Sequence, residues 1–222
     1  MKKFALIVAG GRGNRMKSEI PKQFLELNGK PLIMHTIELF KQYDSDAEII
    51  LVLPKEQYQL WISLCDQYQF HVDCKIAFGG NVRFQSVKNG LEMISEDGIV
   101  FIHDAVRPLV SMKTIQNCFE TAKIKGNALP VIPVSESVRI VKDKKNRILD
   151  RNEIMLVQTP QTFRVSLIKK AYDNAVSTDF TDDASVLENM GENIHLVEGN
   201  RENIKITYPI DLKFADSILS LR

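Results

Sequence analysis

The stretch FALIVAGGRG, residues 4–13, is an apolar run that ends in glycines. A near-continuous apolar run of this length is typical of a strand covered on both faces of a parallel sheet. Glycine permits backbone conformations and close approaches that a side chain would block. Cations accompany and follow these glycines: Arg12, Arg15, Lys17 and Lys22. The stretch predicts a first strand ending in a turn that binds an anion, with a solvated turn carrying ordinary surface charges as the alternative.

Strand-like runs alternate with helical patterns through most of the chain. Four further runs are EIILVLP (48–54), VDCKIAFGG (72–80), GIVFIHDA (98–105) and NALPVIPV (127–134). Between them, apolar residues recur at helical spacing, as at Phe84, Val87, Leu91 and Ile94. This alternation predicts an α/β fold, a Rossmann-like and mostly parallel sheet with helices on both faces. We expect a single domain over residues 1–222.

Four polar stretches lie where predicted strands end: GGRG (10–13), GGNVR (79–83), HDAVRP (103–108) and QTPQ (158–161). Ligands of open parallel sheets bind beyond the carboxyl ends of the strands. We therefore expect these four stretches to line one site.

Residues 135–153 interrupt the alternation. SVRIVKD and RILDRN read as two short strands joined by a KKN turn. An isolated hairpin is marginal in water, so this arm is expected to pack on a second subunit. The sequence thus predicts a homodimer.

Composition excludes several classes of partner. The 29 Lys and Arg residues nearly balance the 28 Asp and Glu residues, leaving a net charge of +1. No global basic field therefore favours nucleic acid or a membrane surface, and the apolar runs are too short to span a bilayer. Three scattered cysteines without metal-binding spacing favour a reducing compartment, so we expect a cytoplasmic protein.

Three kinds of glycine-rich loop can bind phosphate. A P-loop is excluded because Gly29-Lys30 is followed by proline and has no glycine five residues earlier. A dinucleotide fingerprint fails because Met16 stands at its third glycine and no acid follows the second strand. The remaining pattern, AGGxGxRM followed by PKQF, resembles the loop of nucleotidyltransferases that move a nucleoside monophosphate from a triphosphate to a sugar or polyol phosphate.

Further motifs narrow the resemblance. They are GGNVRFQSV (79–87), HDAVRP (103–108), DRN (150–152), QTPQ (158–161), TDDAS (181–185) and EGN (198–200) continuing to NIKIT (203–207). In this order they are similar to the 2-C-methyl-D-erythritol 4-phosphate cytidylyltransferases, over essentially the whole chain. The resemblance implies CTP and a polyol phosphate as substrates and Mg²⁺, or another divalent cation, as cofactor.

The resemblance also implies roles for individual residues. Arg15 and Lys22 match the catalytic cations that stabilise the pentacoordinate transition state, and Asp104 matches a metal ligand. Residues that match the nucleotide site are Ala9, Gly10, Gly11, Gly13, Gly80, Arg83, Ser86, Asp104, Ala105 and Arg107, with Gly80 and Ser86 at the cytosine edge. Residues that match the acceptor site are Arg151, Thr159, Thr181, Asp182 and Lys205. The place of Arg151 on the arm suggests that it serves the partner's site.

Other interpretations stay open on the residues alone. Arg12 between two glycines is closer to the ribitol 5-phosphate cytidylyltransferases, whereas LDRN (149–152) and TDDAS (181–185) resemble the methylerythritol enzymes. A non-catalytic nucleotide-binding module would keep the fold without needing both Arg15 and Lys22. Asp104 could instead cap a helix, and His103 is interpreted as structural because an ionised phosphate needs no general base.

Overall fold

The computed structural model describes residues 1–10 and 20–221. Of the predicted site residues, Gly11, Gly13 and Arg15 lie outside this part of the chain.

The described elements alternate as the sequence predicts. The strands are β1 (Lys3–Val8), β2 (Glu26–Leu27), β3 (Lys30–Pro31), β4 (Glu48–Leu53), β5 (Cys74–Phe78), β6 (Ile99–Asp104), β7 (Asn127–Pro133), β8 (Val138–Lys142), β9 (Lys145–Leu149), β10 (Met155–Val157), β11 (Gln161–Arg164) and β12 (Leu196–Glu198). The helices are α1 (Leu32–Tyr43), α2 (Tyr58–Gln67), α3 (Arg83–Glu92), α4 (Met112–Lys125), α5 (Val165–Asn174), α6 (Asp183–Asn189) and α7 (Pro209–Leu219).

An eight-stranded sheet forms the centre, in the order β10-β7-β11-β6-β1-β4-β5, with β12 also paired to β7. The pairs of β1 with β4 and β6, and of β4 with β5, are parallel. Strand β11 runs antiparallel between β6 and β7. The predicted mostly parallel sheet is confirmed, and the antiparallel β11 is the feature that the apolar runs did not indicate.

Two apolar layers cover the faces of the sheet. Successive side chains of a strand point to opposite faces, so Ala5 and Ile7 pack with α1, α2 and α4, whereas Phe4 and Leu6 pack with α3, α5 and α6. All four side chains are buried. Full burial of one large aliphatic side chain stabilises the fold by roughly 1.5–3 kcal/mol, which explains why β1 reads as a continuous apolar run.

The N-cap of α4, the helix that follows Asp104 in the chain, is Ser111 and not Asp104. The hydroxyl of Ser111 accepts a hydrogen bond from the N–H of Thr114 and so caps the helix, while Gly126 ends it with a left-handed φ of 91°. Asp104 instead ends β6, seven residues before the cap. The alternative that Asp104 caps a helix is therefore wrong.

The arm is present as a separate two-stranded sheet of β8 and β9. Its turn falls at Asp143 and Lys144, slightly earlier than the predicted KKN turn, with φ values of 49° and 63°. Positive φ at both central residues matches the twist of the flanking strands in a two-residue hairpin loop.

Within the described ranges, none of the helices combines the length and the apolar character needed to cross a membrane.

Candidate active site

The carboxyl ends of β1, β5 and β6 enclose a cleft of about 210 Å³, named here the first cleft. Eight residues predicted for the site line it: Ala9, Gly10, Lys22, Gly80, Arg83, Ser86, Asp104 and Lys205. Segments that are far apart in the sequence therefore meet where the parallel sheet predicts.

A tight glycine turn forms one wall of the first cleft. The buried Ser86 hydroxyl accepts a hydrogen bond from the N–H of Gly80 and donates to the carbonyl of Val82, each at 3.1 Å. A Cβ atom on Gly80 would lie 2.2 Å from Cγ of Gln85. Glycine at this position lets the backbone turn closely around the start of α3, so Ser86 both lines the cleft and holds its wall.

Lys22 enters the first cleft from a short 3₁₀ turn, Lys22–Phe24. The next residue, Gln23, is buried and donates from its amide nitrogen to the carbonyl of Ala9 at 3.0 Å and to the side chain of Gln57. The hydrogen bond from Gln23 to Ala9 ties the turn that carries Lys22 to the end of β1. Sequence reasoning missed Gln23, although the PKQF motif contains it.

Asp104 lies at the end of β6 with 11% of its side chain exposed. Its Oδ2 atom accepts from Nε of Arg107 and from Nζ of Lys205, both at 3.1 Å. Burial by itself would raise the pKa of this carboxyl, but Lys205, Arg107 and Arg83 hold it well below its usual range. Asp104 is therefore an anion held between cations.

The position of Lys205 follows from local pairing and packing. The N–H of Ile206 donates to the carbonyl of Val106 at 3.0 Å. Ile206 is fully buried in a cluster with Val106, Leu109 and α7. This anchor brings the NIKIT segment beside HDAVRP and so sets Lys205 against Asp104.

A second cleft of about 300 Å³ adjoins the first and shares Arg83, Asp104 and Lys205 with it. Four further predicted residues line it: Arg107, Thr159, Thr181 and Asp182. Arg107, which was predicted at the nucleotide, thus lies on the side of the predicted acceptor residues. Its guanidinium also donates to the carbonyl of Asn203 at 2.7 Å.

Arg83 stands between the two clefts and is held by a buried acid. Its two terminal nitrogens donate to the two carboxylate oxygens of Asp183 at 2.7 and 2.6 Å. The Tyr172 hydroxyl donates to the same carboxylate at 2.7 Å. Burial alone would lower the pKa of Arg83, but Asp183 raises it. Asp183 is also the first residue of α6, a position where an acid is favoured by the helix dipole.

The clefts are lined by only one of three further predicted residues, Asp182, Ala105 and Arg151. Asp182 caps α6 by accepting from the N–H of Ser185, and it lines the second cleft as well. Ala105 is fully buried below the clefts, with its N–H donating to Val8 and its carbonyl accepting from Thr36. Arg151 lies on the exposed arm, donates to the carbonyl of Ser135 at 2.7 Å, and lines neither cleft.

His103 is fully buried beside Asp104. Its Nδ1 lies 2.9 Å from the Thr159 hydroxyl and its Nε2 lies 3.1 Å from the carbonyl of Arg107. Burial lowers the pKa of its imidazole to about 4. A neutral, enclosed ring agrees with the structural role predicted for His103.

A parallel sheet whose strand ends form two adjoining clefts lined by several cations fits the class of nucleotidyltransferases, enzymes that transfer a nucleoside monophosphate from a triphosphate to a second substrate. The sequence profile of the 2-C-methyl-D-erythritol 4-phosphate cytidylyltransferases matches residues 4–221. The chain belongs to this family and is a CTP-dependent enzyme.

Individual relatives are similar to this chain over nearly their full length. A 2-C-methyl-D-erythritol 4-phosphate cytidylyltransferase of Bacteroides thetaiotaomicron is 50% identical over 219 residues, 99% of this chain and 100% of that protein. One of Bacteroides fragilis is 52% identical over 97% of this chain and 98% of that protein. The crystal structure of the Francisella tularensis enzyme superposes with a TM-score of 0.82 at 33% identity, covering 98% of this chain and 99% of that one.

Proposed function

We propose that this enzyme transfers CMP from CTP to 2-C-methyl-D-erythritol 4-phosphate, releasing pyrophosphate. The product is the CDP-methylerythritol intermediate of the non-mevalonate isoprenoid pathway. The observation that carries the proposal is the pair of clefts that share Asp104, Lys205 and Arg83. A transfer between two substrates needs both bound side by side with the reacting atoms aligned. The names of the relatives support the same acceptor.

The chemistry needs cations more than it needs a nucleophile. An oxygen of the acceptor phosphate forms a bond to the α-phosphorus of CTP, while the bond from that phosphorus to the bridging oxygen of pyrophosphate breaks. The attacking phosphate is already ionised, so no group must remove a proton from it. Negative charge on the equatorial oxygens is stabilised by fixed cations, and we assign this task to Lys22 and Arg15.

A divalent cation fits one residue of the site. Among the described residues, no cluster of three His, Cys, Asp or Glu side chains could hold a metal by itself. Mg²⁺ is commonly bound by one or two carboxylates together with substrate phosphates and water. Asp104 suits that pattern, because its ion pairs with Arg107 and Lys205, among the described residues, are made by Oδ2 at 3.1 Å. The metal would neutralise charge on the phosphates of the nucleotide.

The arm supports a homodimer in which each acceptor cleft borrows Arg151 from the partner. Val141 and Ile148 on the arm are 71% and 66% exposed, and the edge strand β10 exposes three apolar side chains. Such a surface is typical of an interface. The planar guanidinium of an arginine is suited to bind the acceptor phosphate with two parallel hydrogen bonds.

Cytoplasmic location stays a prediction that cell fractionation would test.

Pyrophosphate release from purified enzyme tests the proposal. CTP with 2-C-methyl-D-erythritol 4-phosphate should support turnover, and ribitol 5-phosphate should support far less. UTP should be a poor substitute for CTP, because a site that bonds the cytosine edge is left with unpaired groups when uracil binds. Equal rates with ribitol 5-phosphate would refute the acceptor, and equal rates with UTP would refute the nucleotide.

A further inference from the structure

The ring of His103 makes two hydrogen bonds, and both lead to residues that face the clefts. Nε2 lies 3.1 Å from the carbonyl oxygen of Arg107, and Nδ1 lies 2.9 Å from the Thr159 hydroxyl. The same hydroxyl accepts from the N–H of Asp104 at 3.2 Å. The ring also packs edge-on against Phe40, with centroids 5.2 Å apart.

The proton on each atom of this chain of bonds can be assigned. A carbonyl only accepts, so Nε2 of His103 carries the hydrogen. The oxygen of Thr159 already accepts from the N–H of Asp104, and Nδ1 is the other polar atom among the described residues within hydrogen-bond distance of its hydroxyl, so Nδ1 accepts. The Thr159 hydroxyl must then donate to Nδ1. Its single proton is used there, while its oxygen accepts from the N–H of Asp104.

We propose that His103 and Thr159 are positioning residues that fix the turn from Asp104 to Arg107. Thr159 then acts on Asp104 directly and on Arg107 through His103, and it does not donate its hydroxyl proton to the acceptor. The Thr159 hydroxyl holds the backbone N–H of Asp104, and Nε2 of His103 holds the carbonyl of Arg107. The effect on catalysis rests on the proposed function, but the assignment of protons does not.

Thr159 could bond the acceptor directly or position Asp104 and Arg107, and the two roles predict different kinetics for a variant without the hydroxyl. A direct bond from the hydroxyl to the acceptor would be lost in Thr159→Val, which would raise the KM of the acceptor and leave kcat unchanged. Loss of positioning displaces both Asp104 and Arg107. It leaves Nδ1 of His103 and the N–H of Asp104 buried without partners, so kcat should fall with both substrates saturating.

The first measurement is the tautomer of His103 by nitrogen NMR on enzyme with ¹⁵N-labelled histidine. The chain has four histidines, and the signal that disappears in His103→Asn identifies the ring. We expect a hydrogen on Nε2 and a hydrogen-bonded Nδ1, with Nδ1 moving toward the position of a free acceptor in Thr159→Val and staying in place in Thr159→Ser. A hydrogen on Nδ1, or an Nδ1 signal unmoved in Thr159→Val, would overturn the proposal even if the enzyme proves inactive with methylerythritol phosphate.

The second measurement is steady-state kinetics of the same two variants. Thr159→Ser keeps the hydroxyl and should stay within about threefold of the parent in kcat. Thr159→Val should lose on the order of tenfold to a hundredfold in kcat, the scale that a displacement of about 1 Å in an active site produces. A change confined to the KM of the acceptor would contradict positioning. Because the tautomer is measured on the unaltered enzyme, with His103→Asn used only to assign the signal, the proposal stays testable if Thr159→Val is unstable.

Discussion

Replacing Asp183 with asparagine tests how the wall between the two clefts is held. Asp183 is fully buried, whereas 29% of the Arg83 side chain is exposed. Asp183→Asn keeps the shape of the side chain but removes its charge and one acceptor oxygen. The amide nitrogen would face a guanidinium nitrogen, donor against donor, and Arg83 would lose its only salt bridge among the described residues.

The expected cost follows from which group is left unpaired. Removing one partner of a buried ion pair costs about 3–5 kcal/mol. The part of Arg83 that water reaches reduces the penalty, so we expect a loss of about 3 kcal/mol in the free energy of unfolding. Tyr172→Phe removes one hydrogen bond to the same carboxylate and leaves the ion pair, for an expected loss of about 1.5 kcal/mol.

Helix α5 supplies a matched control. Asp173 pairs with Lys88 at 3.0 Å but is 65% exposed, and exposed pairs contribute less than about 1 kcal/mol. In urea unfolding, the midpoint should be lowest for Asp183→Asn, intermediate for Tyr172→Phe and highest for Asp173→Asn. The slopes of the three transitions should be similar. Adding Arg83→Met to Asp183→Asn should restore part of the loss, because it removes the unpaired cation. An Asp183→Asn protein as stable as Asp173→Asn would show that the Arg83–Asp183 pair does not hold the wall between the clefts.

Three further predictions address the site, the thiols and the dimer. Lys22→Ala should lower kcat by the equivalent of roughly 2.7–4 kcal/mol with little change in CTP affinity by calorimetry; normal turnover with weakened CTP binding would exclude the catalytic role. Burial raises the pKa of Cys74 and Cys118 to about 12, so at pH 8 both should react with a thiol reagent much more slowly in the folded protein than in the urea-unfolded chain; equally fast reaction of both in the folded protein would contradict the half-buried position of Cys74 and the buried position of Cys118. Co-expressed Arg151→Ala and Lys22→Ala chains should regain part of the activity that each lacks, because a mixed dimer has one site with both original residues. No recovery in a verified mixed dimer would show that Arg151 does not act across the interface.

The strands of the sheet could be predicted because their environment dictates their composition. A central parallel strand has both faces covered by helices, so residues 4–8 must be apolar throughout. Strand β11 gave no such signal, since QTFR (161–164) is short and polar at its ends. Its Gln161 side chain instead serves α6, accepting from the N–H groups of Asp183 and Ala184. Only the folded chain shows that partner.

The residues of the site could be predicted better than their contacts. Motifs placed Arg83, Asp104 and Lys205 near the strand ends, and the structure brings them to the shared wall of two clefts. The partner of Arg83 lies 100 residues away, at a position where an acid next to a helix start has an adequate local explanation. A local pattern cannot show which distant charge a buried carboxylate will meet, so the contact of Asp183 with Arg83 is seen only in the folded chain.

The pairing of the cations has a consequence for how the site binds phosphate. Arg107 and Lys205 both contact Asp104, and Arg83 contacts Asp183. Three cations against two carboxylates leave this group with one positive charge, in a chain whose net charge is only +1. What the pairs supply is orientation: each cation already stands in a fixed position before the substrates bind. Preorganised charge of this kind acts on the transition state without a reorganisation cost at the moment of reaction. We therefore expect the acids beside the clefts to serve the proposed reaction by holding the cations in place.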